Sequence, residues 1–267
     1  MIGPRGVSRY SFLPSLICLL IVVAQGRDAV AAQTVFSVKG EVLDALVCRP
    51  TGPGPFPALV YNHGSIVDAL GLSGAAARGN RLDAICERLA EDGFLSFVPI
   101  REKVPKGRGY RSYQDFYKDI VSAAIDHIRT LPDVDTSRIA VMGHSMGGLL
   151  TLLMGIERKE LKALVVSAPA QGPRKGAIFD FVVQNANQLS APLLLLVEAS
   201  DSSHIIRGVN QLDEALGKLK KPAKVLRYDG GGGHELFFKV DYYWRDVRAF
   251  LREHLGPLDD EEKQTSR

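Results

Sequence analysis

Val141-Met142-Gly143-His144-Ser145-Met146-Gly147-Gly148 decides how the rest of this chain is read. Its centre is G-x-S-x-G, which on pattern alone turns up by chance about 0.2 times in a chain this long. The flanks raise its weight. Arg138–Met142 is an apolar run of strand character, and Ser145–Ile156 is apolar at helical spacing. A serine between them stands on a sharp strand-to-helix turn. Such a turn strains the serine backbone and leaves no room for side chains at Gly143 and Gly147. It also sets the serine at a helix N-terminus, whose partial positive charge favours a developing oxyanion. Ser145 is therefore the candidate nucleophile.

Working outward, apolar strands alternate with helical patterns. Thr34–Val38 and Val42–Cys48 read as strands joined at Lys39-Gly40, followed by the breaker-rich 50–55. Pro57–Tyr61 is a strand ending at Asn62-His63-Gly64-Ser65. Residues 65–80 lack strong periodicity and read as a loop. A helix through Leu82, Ile85 and Leu89 leads into strand Phe94–Ile100. Gln114–Thr130 is an amphipathic helix. Strands Leu161–Ser167, Pro192–Val197 and Ala223–Tyr228 alternate with helices Ala177–Leu189, Ile206–Leu219 and Phe237–Leu255. Apolar strands separated by helices imply a mostly parallel sheet covered on both faces. The expected fold is thus α/β in one domain, with about eight strands.

A serine hydroxyl needs a base. On a turn of this kind the partners follow in the order acid, then histidine. After Ser145 the chain holds His204, His234 and His254. His254 sits in a charged helical stretch, and His204 is three residues from the candidate acid. His234 follows the last strand in the glycine-rich Asp229–Glu235 and is the expected base. The acid follows strand Pro192–Val197. Asp201 is preferred because it lies past the strand end, where a carboxylate can turn back to an imidazole; Glu198 is the alternative. Its task is to fix the imidazole tautomer and stabilise imidazolium. Two backbone N–H groups complete an oxyanion hole: that of Met146, and that of Ser65 in the loop after Pro57–Tyr61. His63 reads as a residue that orients this loop. The basic stretch Arg101–Arg111 could reach the mouth of the site, but reads first as a solvated loop.

These residues resemble an alpha/beta hydrolase, and more narrowly the dienelactone hydrolase-like group and the catalytic domain of prolyl oligopeptidase-type peptidases. The resemblance rests on Val47–Pro50, Phe56–Gly64, Asp135–Gly148, Asp201 and Gly233-His234. It implies carboxylic-ester hydrolysis through an acyl-enzyme, with a small-molecule ester as partner and no cofactor. Dienelactone hydrolases use cysteine where this chain has Ser145, and Glu198 occupies a position that is often glycine in such families. The interval between Pro169 and Pro192 fits one helix and no long lid, which implies an open site. Amide or peptide hydrolysis is the alternative chemistry, and a non-catalytic ligand binder the alternative class. Intact Ser145, His234 and a carboxylate in order stand against the binder.

Composition sets outer bounds. The 267 residues carry a formal net charge of +3. Setting aside 1–31, with Arg5, Arg9 and Arg27 against Asp28, leaves +1, which gives no reason to expect nucleic acid or an anionic membrane as partner. Arg5 and Arg9 precede the apolar run Leu13–Ala24, and Ala29-Val30-Ala31 supplies small residues at the positions a signal peptidase reads. That run is too short to cross a bilayer core of ~30 Å. The expectation is a signal peptide over 1–31, a domain over 32–256 and a charged tail over 257–267. The mature protein would be exported, periplasmic or secreted, without stable membrane insertion. Cys48 and Cys86 remain after Cys18 leaves with the signal, and either pair or stay as buried thiols. No Cys/His spacing resembles a metal site.

Overall fold

The computed structural model describes residues 29–101, 110–171 and 176–256. The expected signal segment up to residue 28, the charged tail from 257 and most of the basic stretch 101–111 lie outside these residues. Eight strands form one sheet in the order β1-β2-β4-β3-β5-β6-β7-β8. They are β1 (Ala32–Val38), β2 (Glu41–Cys48), β3 (Phe56–Asn62), β4 (Leu95–Pro99), β5 (Val134–His144), β6 (Ala163–Ser167), β7 (Leu193–Glu198) and β8 (Ala223–Tyr228). β1 runs antiparallel to β2, and β2 antiparallel to β4. Every other pairing is parallel. The helices are α1 (Ser65–Ala77), α2 (Leu82–Glu91), α3 (Tyr110–Ile128), α4 (Met146–Glu157), α5 (Gly176–Gln184), α6 (Ser203–Lys218) and α7 (Trp244–Leu255).

The central strands are apolar throughout because both their faces are buried. Alternate residues point to opposite layers. Val60, Val141, Val166 and Leu195 belong to the core cluster that includes α3 and α4, while Leu59, Met142, Val165 and Leu194 belong to the cluster that includes α2 and α7. This order brings the C-terminal ends of β3, β5 and β7 to one edge of the sheet, where doubly wound folds bind ligands. Cys48 on β2 and Cys86 on α2 are joined by a disulfide, their Cα atoms 5.7 Å apart, across the layer that α2 makes with the sheet.

The structure departs from the sequence reading in three stretches. Residues 65–77, read as loop, form α1, two helical stretches joined at Gly71 (φ 71°). Only Val67, Asp68 and Ala75 of this helix are buried, so it shows no apolar stripe. The last helix begins at Trp244 rather than Phe237. Two 3₁₀ turns, Gly233–Phe238 and Val240–Tyr242, precede it and bury Phe237, Phe238 and Val240, which mimic helical spacing. The helix expected over Ala177–Leu189 ends at Gln184, and a 3₁₀ turn at Ala186–Gln188 follows.

Candidate active site

Ser145 lies between β5 and α4 with φ 55° and ψ −116°, outside the regions favoured by L-residues. Backbone bonds hold the strain. Its N–H donates to Ser167 O at 3.0 Å, and its carbonyl accepts from Leu149 and Ala170 N–H at 3.0 and 2.8 Å. The turn closes only with glycine at two places. A Cβ on Gly147 would stand 1.9 Å from Asn62 O, and one on Gly143 2.3 Å from Gly147 O.

Asp201 and His234 meet across two loops. His234 Nδ1 is 3.0 Å from Asp201 Oδ2, so an Nδ1–H donates to the carboxylate and leaves Nε2 as the basic nitrogen. Asp201 Oδ1 accepts from Ser202 N–H at 2.6 Å, which fixes the rotation of the carboxylate. Ser145, Asp201 and His234 line one open cleft of about 370 Å³ with Ala170, Gln171 and His204. Glu198, the alternative acid, is buried at the end of β7 and occupied elsewhere. It accepts from Ser200 N–H at 2.6 Å, from the Ser200 hydroxyl, and from Gly231 N–H at 3.1 Å. The Ser200 hydroxyl first, and these backbone donors with it, hold its carboxyl below the usual range. Glu198 thus ties the glycine-rich loop that carries His234 to the end of β7.

The loop after β3 lies against the nucleophile. A Cβ on Gly64 would stand 3.3 Å from Ser145 Cβ. Ser65 and Met146 open α1 and α4, so each presents its backbone N–H from the first turn of a helix beside Ser145. His63 is fully buried. Arg101 N–H donates to His63 Nε2 at 3.0 Å, which puts the ring proton on Nδ1, where it reaches Gly64 O at 3.0 Å. Burial first, then the Arg101 charge, pushes the His63 pKa well below its ordinary value, so the ring stays neutral.

Arg101 corrects the sequence reading, in which it opened a solvated loop. It is the largest fully buried side chain among the described residues. Its guanidinium donates to His63 O, stands 3.5 Å from Asp68 Oδ1 and lies 5.1 Å above the Tyr117 ring. The available signal was its place two residues past β4, at the same sheet edge as the nucleophile. The reading also passed over His144. This ring is buried, packs 4.6 Å from the His234 ring and donates to or accepts from Ser167 Oγ at 3.3 Å. Burial, and secondarily the nearness of His234, pushes its pKa well down. It forms a neutral wall behind His234.

No group of His, Cys, Asp and Glu suited to a metal ion is found among the described residues. The dienelactone hydrolase family model matches residues 43–241. A protein from Yersinia pestis named as a carboxymethylenebutenolidase is 23% identical over 225 residues, covering 79% of each chain. Cutinase 1 of Thermobifida cellulosilytica is 29% identical over 142 residues, which is 50% of this chain and 51% of the cutinase. The solved esterase of Pyrococcus furiosus superposes with a TM-score of 0.66 at 16% identity, over 95% of this chain and 97% of that one. With its eight-stranded sheet and strained serine turn, the chain belongs to the dienelactone hydrolase family, a family of hydrolases.

Proposed function

We propose that the protein is an exported serine esterase that works through an acyl-enzyme. The supporting observation is the 3.0 Å contact of His234 Nδ1 with Asp201 in the cleft that Ser145 also lines. In this reading Ser145 Oγ attacks the ester carbonyl while His234 Nε2 takes its proton. The carbonyl oxygen becomes an oxyanion facing the N–H groups of Met146 and Ser65. The imidazolium, stabilised by Asp201, returns the proton to the departing alcohol. Water then enters, His234 takes one of its protons, and the acyl group leaves as an acid, restoring Ser145. With serine in place of the cysteine of dienelactone hydrolases, the enzyme depends on His234 for every proton transfer, since an alcohol is far less acidic than a thiol.

Export is supported by the Cys48–Cys86 disulfide, since such bonds persist in oxidising compartments. Mass spectrometry of protein from its native host should find a mature chain beginning near Ala32, and an intact Met1 in a cytoplasmic fraction contradicts this. The catalytic reading is tested with a fluorophosphonate. Wild type should be labelled once and Ser145→Ala not at all, and p-nitrophenyl esters should be cleaved faster than aminoacyl p-nitroanilides. Labelling that survives Ser145→Ala defeats the assignment of the nucleophile. Faster cleavage of the anilides turns the reading to amide hydrolysis.

A further inference from the structure

One wall of the cleft has an unusual construction. Gly208 is buried within the second turn of α6. A Cβ on it would stand 1.6 Å from Gln171 Nε2, 2.1 Å from Gln171 Cδ and 2.4 Å from Gln171 Oε1. The Gln171 amide therefore lies flat on the helix backbone, in a space that exists only because residue 208 has no side chain. Nothing about the helix itself calls for glycine there, since glycine weakens a helix interior relative to alanine. Among the described residues the amide makes no hydrogen bond, so its polar atoms are held at the cleft and left to face whatever occupies it.

His204 stands four residues before Gly208 and so shares its face of α6. Its ring is half-buried and also lines the cleft, with Nε2 3.3 Å from Ser202 Oγ. The hydroxyls nearby are engaged: Ser200 Oγ donates to Glu198, and Ser202 Oγ donates to Asp201. Gln171 and His204 are then the polar side chains of this wall that remain for a ligand. Ala170 and Ile205 add only short apolar surface. A long alkyl chain laid here would desolvate an amide and an imidazole without returning a hydrogen bond to either.

We propose that Gln171, seated by Gly208, and His204 form a specificity subsite for esters whose short acyl group carries a hydrogen-bonding substituent, against plain alkyl esters. The subsite rests on the esterase reading and names its substrate class. Gln171 and His204 are specificity residues; neither takes part in the proton transfers.

The test uses the full mature protein and an isosteric substrate pair, p-nitrophenyl 3-hydroxybutyrate and p-nitrophenyl 3-methylbutyrate, which differ by OH for CH₃. Wild type should favour the hydroxy ester by about tenfold in kcat/KM, beyond their ratio of alkaline hydrolysis rates. Gln171→Leu keeps the size of the side chain and should collapse that preference towards the alkaline ratio. Gly208→Ala should do the same although it touches no substrate, because the new methyl evicts the amide; alanine suits the helix, so the fold should hold. Gly208→Ala, which does not line the cleft, should keep the wild-type rate of fluorophosphonate labelling to within a few-fold. An unchanged preference in Gln171→Leu and Gly208→Ala overturns the subsite. So does a wild type that labels at Ser145 yet treats the two esters alike or prefers p-nitrophenyl octanoate, and in that case the hydrolase reading stands. Failure of wild type to label at all removes the esterase reading, and the subsite with it.

Discussion

At the scale of single residues, the two carboxylates after β7 differ in what they hold. Asp201 faces the imidazole and Glu198 faces backbone N–H groups, although they are three positions apart. Asp201→Asn should leave the fold intact, verified by circular dichroism, and lower the acylation rate by about 10⁴, because an amide can hold the wrong imidazole tautomer. Glu198→Gln keeps one acceptor oxygen for the His234 loop and should cost only about tenfold in kcat. Combined with His234→Ala, Asp201→Asn should be scarcely slower than His234→Ala alone, since members of a triad act as a unit. A crippling Glu198→Gln beside a mild Asp201→Asn would reverse the assignment. The contrast was only partly legible in the sequence. Order along the chain reduced the acid to two candidates, and the preference for Asp201 followed from its place past the strand end. That Glu198 binds Gly231 depends on how the glycine-rich loop folds back over β7. Glycine runs carry no side-chain pattern from which that path could be read.

At the scale of elements, the strand–helix alternation was legible because buried parallel strands are apolar on both faces and their helices are striped on one. α1 and the turns before α7 were not legible, for opposite reasons. α1 buries too few residues to show a stripe, whereas Phe237, Phe238 and Val240 bury enough to imitate one. In the proposed mechanism α1 matters because its first turn carries Ser65, the second oxyanion donor of that reading. The loop before it is pinned by Arg101, which bonds to His63 O from the end of β4 while Asp68 on α1 balances the charge. Arg101→Met breaks the buried pair with Asp68 and the bond to His63 O, and should cost about 3–5 kcal/mol of stability in urea unfolding. The double variant Arg101→Met with Asp68→Asn removes both charges and should recover much of that loss. It should still show kcat about 10²-fold below wild type with KM little changed, because a displaced N–H donor fails the oxyanion and spares ground-state binding. Recovery of kcat together with stability would reduce Arg101 to a packing role.

At the scale of the whole molecule, the disulfide and the buried histidines set stability by different routes. Cys48–Cys86 closes a loop with a sequence separation of 38, worth about 4 kcal/mol in the chain-entropy description. For a domain of this size that is about 10 °C in Tm. Protein refolded with a thiol-free reductant should melt lower by roughly that amount than oxidised protein, and equal melting temperatures would leave the bond without a stabilising role. The histidines act through protons. His63 and His144 are fully buried, with folded pKa values well below the ~6.5 of an unfolded imidazole. His127, partly buried against Phe36 and Phe97, shifts the same way, again through burial. Between the folded and unfolded values the unfolded chain binds more protons, so stability rises with pH there. The stabilisation is complete above about pH 7 and drains away as pH falls through 6.5, while carboxylates are still ionised. Each fully buried histidine contributes a slope approaching about 1.4 kcal/mol per pH unit, so His63 and His144 together should cost about 2–3 kcal/mol between pH 6.5 and 5.5. Urea unfolding at pH 7.5, 6.5 and 5.5 measures this directly. His144→Gln removes one titrating ring from the wall behind His234 and should flatten the slope by close to one proton. A stability that stays level from pH 7.5 to 5.5 would mean that these two rings are hydrated and bind protons in the folded protein as readily as in the unfolded chain. The hydrogen bond from Arg101 N–H to His63 Nε2 would then break as the ring takes up its proton below about pH 6.5, because a protonated ring has no lone pair with which to accept it.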